Sequence, residues 1–241
     1  MCGINGIISI ASMSNIEQRI EKMNMSLAHR GPDHDGKLCF ENRFGFGHRR
    51  LSIIDLDQRS NQPMVSNSGR YIIVFNGEIF NFKEIKKELD YNYKTTSDTE
   101  VILAALELKN LDWFVKKANG MFAIAMFDKK TEELTLARDR FGIKPLFYYQ
   151  NNEFIVFSSE IKGILKSGLV DARFREESVD EYLGNRYVRE PFTFFKNIKQ
   201  VKSSCLIEFD KKLKPQEKQY WELPRLNFSN SFDEKEIIEE T

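Results

Sequence analysis

Cysteine is scarce, with three residues in 241, at positions 2, 39 and 205. So few cannot build a disulfide framework, and they suit a reducing compartment, so the sequence reads as cytosolic. Histidine is equally scarce: His29, His34 and His48, taken with Cys39, fall at spacings that match no standard zinc pattern, and no metal site is expected. Cys39 and Cys205 read as core or strand residues. Net charge is absent. The 36 basic and 36 acidic residues balance without a block of either sign, which excludes a basic face for nucleic acid or anionic lipid. No run approaches the roughly 20 apolar residues of a membrane span. The apolar stretch 3–10 has no basic segment before it, and charged Glu17, Arg19 and Glu21 soon follow, unlike a signal peptide. Phenylalanine, in contrast, is plentiful at 20 residues, enough to fill the space between two layers of structure. The length fits one large domain with an ample core.

The densest chemistry lies in Met1-Cys2-Gly3. A methionine before a small residue is of the kind trimmed after synthesis, which would leave Cys2 as the amino terminus. A free α-amine has a reference pKa of about 7.7–8.0 and a thiol about 8.5. One residue would then combine a nucleophile with a near-neutral base, an established route to acyl transfer. The alternative is that Cys2 is simply a small residue opening a buried strand.

Periodicity predicts a strand over 3–9, then a helix capped by Ser14 whose apolar positions Ile16, Ile20, Met23 and Leu27 share one face. The polar stretch 29–36, broken by Gly31-Pro32, predicts a loop, and 44–48 a strand with glycines. The run 71–75 is continuously apolar, as in a strand buried on both faces, and ends abruptly at Asn76-Gly77-Glu78; by itself Asn-Gly predicts a two-residue hairpin turn. A weak helix near 83–89 follows. Ser97-Asp98-Thr99-Glu100 has capping-box spacing before the apolar run 101–108, and Asp98 in that first turn would favour the helix dipole without any ligand. Residues 121–158 switch to short β-rich runs, an expected antiparallel meander. Ser158-Ser159-Glu160 is expected to cap a helix over 161–165, with a further helix near 178–183 and strands near 206–209 and 219–221. This order fits an α+β fold of two packed antiparallel sheets covered by helices. Past 222 the character shifts to a linker, and Ser231 with Glu234 caps a charged helix cut off at Thr241, an expected lead into a second domain.

Eight motifs occur in an order that resembles the glutaminase domains of class II glutamine amidotransferases, most closely those of glutamine-hydrolysing asparagine synthetases. They are Cys2-Gly-Ile, His29-Arg-Gly-Pro-Asp33, Arg50-Leu-Ser-Ile53, Phe75-Asn-Gly-Glu-Ile79, Ser97-Asp-Thr-Glu100, Gly120-Met-Phe-Ala123, Arg138-Asp-Arg-Phe-Gly-Ile-Lys-Pro-Leu146 and Phe157-Ser-Ser-Glu160. The resemblance covers residues 2–221. It implies the N-terminal nucleophile hydrolase fold, a four-layer αββα sandwich, with residues 222–241 leading to an absent ATP-dependent synthetase domain. It implies Cys2 as the nucleophile, with Asn76 and Gly77 holding the oxyanion. Arg50 is implied for the α-carboxylate of L-glutamine, Asp98 and Glu78 for its α-ammonium, backbone groups of Leu51 and Ile53 for lining the site, and the 29–33 loop for covering it. No cofactor is implied for this domain; ATP and Mg belong to the absent one, which would act in cis, and a homodimer is compatible with the resemblance. Arg138-Asp139-Arg140, which alone could suggest a phosphate patch, is expected to support the fold. The sequence departs from the family pattern at Arg189-Glu190 and at Val201-Lys-Ser-Ser204, where a Pro-Pro-Gly turn is usual. It also has no Ser-Gly-Gly-x-Asp-Ser pyrophosphate loop. Two other functions stay open: the glutaminase half of an amidotransferase acting on another carboxylate or a sugar, and a non-catalytic docking module.

Overall fold

The computed structural model describes residues 1–224; the charged helix expected from 231 and most of the linker before it lie outside them. The strands are β1 (Gly3–Ser9), β2 (His34–Phe40), β3 (Phe44–Arg50), β4 (Met64–Val65), β5 (Tyr71–Ile79), β6 (Gly120–Asp128), β7 (Glu133–Arg138), β8 (Phe147–Gln150), β9 (Phe154–Ser158), β10 (Ile198–Gln200), β11 (Cys205–Phe209) and β12 (Pro215–Gln219). The helices are α1 (Ile16–Ser26), α2 (Phe82–Lys87), α3 (Asp98–Leu108), α4 (Leu111–Lys117), α5 (Ile161–Lys166) and α6 (Glu177–Asn185). They form two six-stranded sheets, β10-β8-β9-β1-β3-β2 and β12-β11-β7-β6-β5-β4. Every paired neighbour runs antiparallel.

Side-chain alternation sorts the apolar residues into three layers. In β1, Ile4 and Ile8 face the other sheet while Ile7 faces α1; in β5, Ile72 and Val74 face inward while Ile73 and Phe75 meet α3 and α4. The expected four-layer αββα α+β sandwich is therefore present. Phenylalanines fill its centre: Phe44 lies 4.5 Å from Phe46 and 4.8 Å from Phe127, and Phe46 meets Phe157 edge-on at 5.2 Å. Gly6 admits this cluster, because a Cβ there would lie 2.4 Å from the Phe157 ring. Among the described residues no helix is long and apolar enough to cross a membrane.

Several local expectations are corrected. The strand that was to end at Asn76-Gly77 runs on to Ile79, because β6 pairs with it residue for residue from Asp128 to Gly120; a long ladder outweighs a local turn preference. The expected meander over 121–158 is two hairpins in different sheets, β6-β7 and β8-β9. Between them, fully buried Asp139 gathers the N–H groups of Phe122, Phe141, Ile143 and Lys144 into a fixed turn. Helix α1 starts after Asn15, which takes the left-handed conformation (φ 62°) without a side-chain cap, so Ser14 does not serve. Helix α5 likewise has no side-chain cap. The 29–36 loop ends early, at β2, whose polar alternation concealed it, and β4 and β10 were too short to read. The last strand spans Pro215–Gln219 rather than 219–221. By contrast, Ile16, Ile20, Met23 and Leu27 are buried as expected, and Ser97 Oγ accepts the Glu100 N–H at 3.3 Å. Glu100 turns its carboxylate to the Lys94 and Thr95 N–H groups, so only half of the capping box forms.

Candidate active site

The inward-facing positions at the ends of three strands converge. In β1 and β3, Ile4 pairs with His48 and Gly6 with Phe46. Since Ile4 and Phe46 face the inter-sheet core, the same parity puts Cys2, His48 and Arg50 on that side. Asn76 follows Ile72 and Val74 on the inner face of β5. A cleft at this edge of the sandwich is lined by Cys2, Arg50, Leu51, Asn76, Gly77 and Asp98, together with Ile53, Glu78 and Met1. All eight site residues named from the sequence thus come together.

Cys2 is half-buried. Its Sγ accepts the Leu51 N–H at 3.4 Å and lies 3.6 Å from the Leu51 carbonyl oxygen. Burial pushes the thiol pKa up, against the Leu51 contact, the amino terminus and Arg50, which pull it down. Asn76 is 1% exposed, and its Nδ2 has no hydrogen-bond partner among the described residues. An unmade buried amide donor costs about 1–3 kcal/mol, and this one lines the cleft, where a water or a ligand can accept from it. Gly77 could carry no side chain: a Cβ would fall 2.3 Å from the Met121 carbonyl oxygen on the paired strand.

Arg50, 7% exposed, is locked by the 55–61 loop. Its Nη1 donates to the Asp57 carbonyl at 3.1 Å and to Asn61 Oδ1 at 2.7 Å, and its Nη2 donates to the Asp55 carbonyl. Of five guanidinium N–H groups, that leaves Nε–H and one on Nη2 without a partner among the described residues. The loop is itself pinned. Despite burial, which opposes it, hydrogen bonds from Asp57 and Thr96 hold the Asp55 carboxyl down to about 2. Asp98, 4% exposed, accepts the Ile79 N–H at 3.1 Å and has no salt-bridge partner among the described residues. Burial pushes its carboxyl up to about 6, with the Ile79 and Thr99 N–H groups opposing.

Behind these residues, His48 is fully buried and held neutral, its pKa pushed down to about 3 by burial; its Nε2 donates to the Phe75 carbonyl at 3.2 Å, tying the two sheets together beside Asn76. Gln62 accepts the Phe75 N–H at 2.6 Å and donates to Thr99 at 3.2 Å, joining β5 to α3. Lys144, 5% exposed, lines the cleft beside Met121, and burial, then Arg30, lower its pKa. Sequence reasoning missed His48, Gln62, Asp55 and Lys144 as parts of the site; the one signal was that Lys144 falls inside the Arg138–Leu146 motif. The 29–33 loop, expected over the cleft, lies behind Cys2 and contributes no lining residue. There Arg30 Nε donates to the Cys2 carbonyl and Asp33 accepts the Ser52 N–H.

Arg138 serves the fold, as expected, donating to Lys144 O, Val201 O and Glu190 at 2.8–2.9 Å. Both departures from the family pattern meet here, since Glu190 also accepts from the Ser203 N–H and hydroxyl. No group of three or more His, Cys, Asp or Glu that could hold a metal occurs among the described residues.

A cysteine just before the first strand of an αββα sandwich shares one cleft with a buried amide donor that is unpartnered among the described residues, on the fold of the N-terminal nucleophile hydrolases. The family model described as a glutamine amidotransferase domain matches residues 1–221. The putative asparagine synthetase [glutamine-hydrolyzing] 2 of Methanocaldococcus jannaschii is 36% identical over 260 residues, an alignment covering 100% of this chain and 50% of that protein. Asparagine synthetase [glutamine-hydrolyzing] 1 of Bacillus subtilis is 39% identical over 207 residues, covering 83% of this chain and 32% of that protein. Among solved structures, the glutamine phosphoribosylpyrophosphate amidotransferase of B. subtilis superposes with a TM-score of 0.68 at 17% identity, over 91% of this chain and 49% of that one. The chain belongs to the glutamine amidotransferase domain family. It is an enzyme domain of that family, and it spans half or less of the curated relatives it matches.

Proposed function

We propose that this chain is the glutaminase half of an asparagine synthetase and hydrolyses L-glutamine to glutamate and ammonia through a Cys2 glutamyl thioester. The observation that carries the reading is the buried Asn76 amide, whose Nδ2 has no partner among the described residues, in one cleft with Cys2 and with an Asp98 carboxylate that lacks a counter-ion among them. Cys2 Sγ attacks the side-chain carbonyl carbon of glutamine, and the thiol proton passes to the α-amine that Cys2 carries once Met1 is removed. The Asn76 amide and the Gly77 N–H hold the tetrahedral oxyanion. As the carbon–nitrogen bond breaks, the α-ammonium returns the proton to the leaving nitrogen, and ammonia departs. Water, deprotonated by the same amine, then releases glutamate. The two free N–H groups of Arg50 suit the substrate α-carboxylate, Asp98 and Glu78 take the α-ammonium, and backbone groups of Leu51 and Ile53 line the site.

The hydrolytic step as written draws on no cofactor. ATP and Mg, and amidation of aspartate by the released ammonia, belong to a synthetase domain in cis; the names and greater lengths of the relatives support this. Unpaired cysteines favour a cytosolic setting. The chain alone should release glutamate from glutamine and form no asparagine, whereas the longer protein should form asparagine only with ATP and aspartate. Amidation of another carboxylate or of a sugar in place of aspartate would redirect the reading.

Asn76→Ala should lower kcat by about 100- to 1000-fold with KM little changed, the range seen when one oxyanion donor is lost. Steady-state glutamate release measures it, and a purely KM effect would move Asn76 to ground-state binding.

Asp98→Asn should raise KM for glutamine far more than it lowers kcat. The carboxyl stands near 6 against its usual 3.8, so the folded protein binds more protons than the unfolded chain between those values, and stability falls as pH rises through that window. At 1.36 kcal/mol per unit, the ionised carboxylate costs on the order of 3 kcal/mol at neutral pH. The Asn variant should therefore melt higher at pH 7 and show no gain near pH 3.5. In the wild type, kcat/KM should steepen its fall below about pH 6 as Asp98 protonates, and the variant should lose that steepening. Unchanged KM and melting temperature would return Asp98 to a helix-start role.

A further inference from the structure

The turn after β9 closes on the strand that carries Cys2. Ser159, fully buried, grips Ile4 on both sides: its N–H donates to the Ile4 carbonyl at 2.9 Å, and its Oγ accepts the Ile4 N–H at 3.0 Å. Glu160 Oε1 accepts from Arg30 Nη1 at 2.9 Å, and Arg30 Nε donates to the Cys2 carbonyl at 2.9 Å. Gly3 clears the crossing, since a Cβ there would stand 3.0 Å from Leu27 and 3.4 Å from Arg30 Cδ. The β1–β3 ladder begins only at Gly3, paired with Arg49, so Cys2 itself lies outside it. Once terminal, Cys2 would be tied to the chain by a single peptide bond, and its orientation would rest on the Leu51 contact to sulfur and the Arg30 contact to its carbonyl. The expected role of Ser158-Ser159-Glu160 as a helix cap is not what these side chains do.

We propose that Ser159 and Glu160 are positioning residues for the nucleophile, Ser159 by fixing Ile4 and Glu160 by holding Arg30 against the Cys2 carbonyl. This rests on the reading of Cys2 as nucleophile. A serine alone could cap a helix, and a lone ion pair on the surface would contribute little. Here the carboxylate arm reaches a side chain that is 8% exposed and ends on the reacting residue. Misplacing a reacting group by about 1 Å can cost roughly 100-fold in rate.

The test uses protein freed of Met1. Glu160→Ala should lower kcat by about 10- to 100-fold with KM within about twofold, because the attacking atom is displaced while the glutamine contacts stay. Glu160→Gln, which keeps an oxygen for Arg30, should recover most of that loss and covers the case in which the alanine variant does not fold. Ser159→Ala should lower kcat in the same sense. Lys162 meets the other oxygen, Oε2, at 3.1 Å, so Lys162→Ala should leave kcat unchanged. Glu160→Ala turning over like the wild type, or losing KM and kcat alike without rescue by Gln, would overturn the proposal while the Cys2 reading stands. A processed wild-type protein that does not hydrolyse glutamine would overturn both.

Discussion

Cys2→Ala protein should release no glutamate from glutamine above background, a loss of at least about a thousandfold, as when an attacking side chain is deleted from an enzyme that works through a covalent intermediate. The change removes one half-buried sulfur whose contacts are the Leu51 N–H and carbonyl. Leu51 stands at the cleft, where water can take over those hydrogen bonds. Folding stability should therefore shift by no more than about 1 kcal/mol, within the ordinary range for a single substitution, and circular dichroism and melting should match the wild type. Residual activity above about a tenth of wild type would remove Cys2 from the nucleophile role.

The second large effect concerns Met1. It is 57% exposed and lines the cleft. While it is attached, the nitrogen of Cys2 is an amide with no lone pair for proton transfer, and the charge that helps lower the thiol pKa sits one residue away. Its removal places the amine on Cys2 itself, where it can act as base, draws its positive form closer to the sulfur, and clears the cleft. Protein that keeps Met1 should be inactive. Trimmed protein should be active, with a rate that rises as the amine deprotonates near its reference value of about 7.7–8.0. Intact mass distinguishes the two forms in the same sample that is assayed. Full activity in protein that retains Met1 would assign the base to another group.

Legibility in the sequence followed the range of the forces involved. The α1 face was readable because burial on one side imposes a period on neighbouring residues, and 71–75 because burial on both faces leaves an unbroken apolar run. Asn76-Gly77 was misread locally as a turn, since the partner that keeps it extended lies more than forty residues away in β6. Polar β2 gave no alternation of apolar residues, and the two residues of β4 gave no pattern at all. In the cleft, Cys2, Arg50, Asn76 and Asp98 stood out because their chemistry is uncommon at motif spacing. Gln62 and His48 did not, for they act through hydrogen bonds to strand β5, and for Gln62 also to α3, that only the packed fold brings within reach. Lys144 lay inside a motif read as structural, and it is the Asp139-centred turn that brings it to the cleft.

The central claim is that glutamine becomes covalently attached to the sulfur of an amino-terminal Cys2. Trimmed protein mixed with glutamine, quenched in acid within a turnover and digested should yield an amino-terminal peptide heavier by one glutamyl group, labile to hydroxylamine and missing from Asn76→Ala protein quenched at the same time. Steady glutamate release with no adduct on that peptide, or an adduct on Cys39 or Cys205 instead, would contradict it.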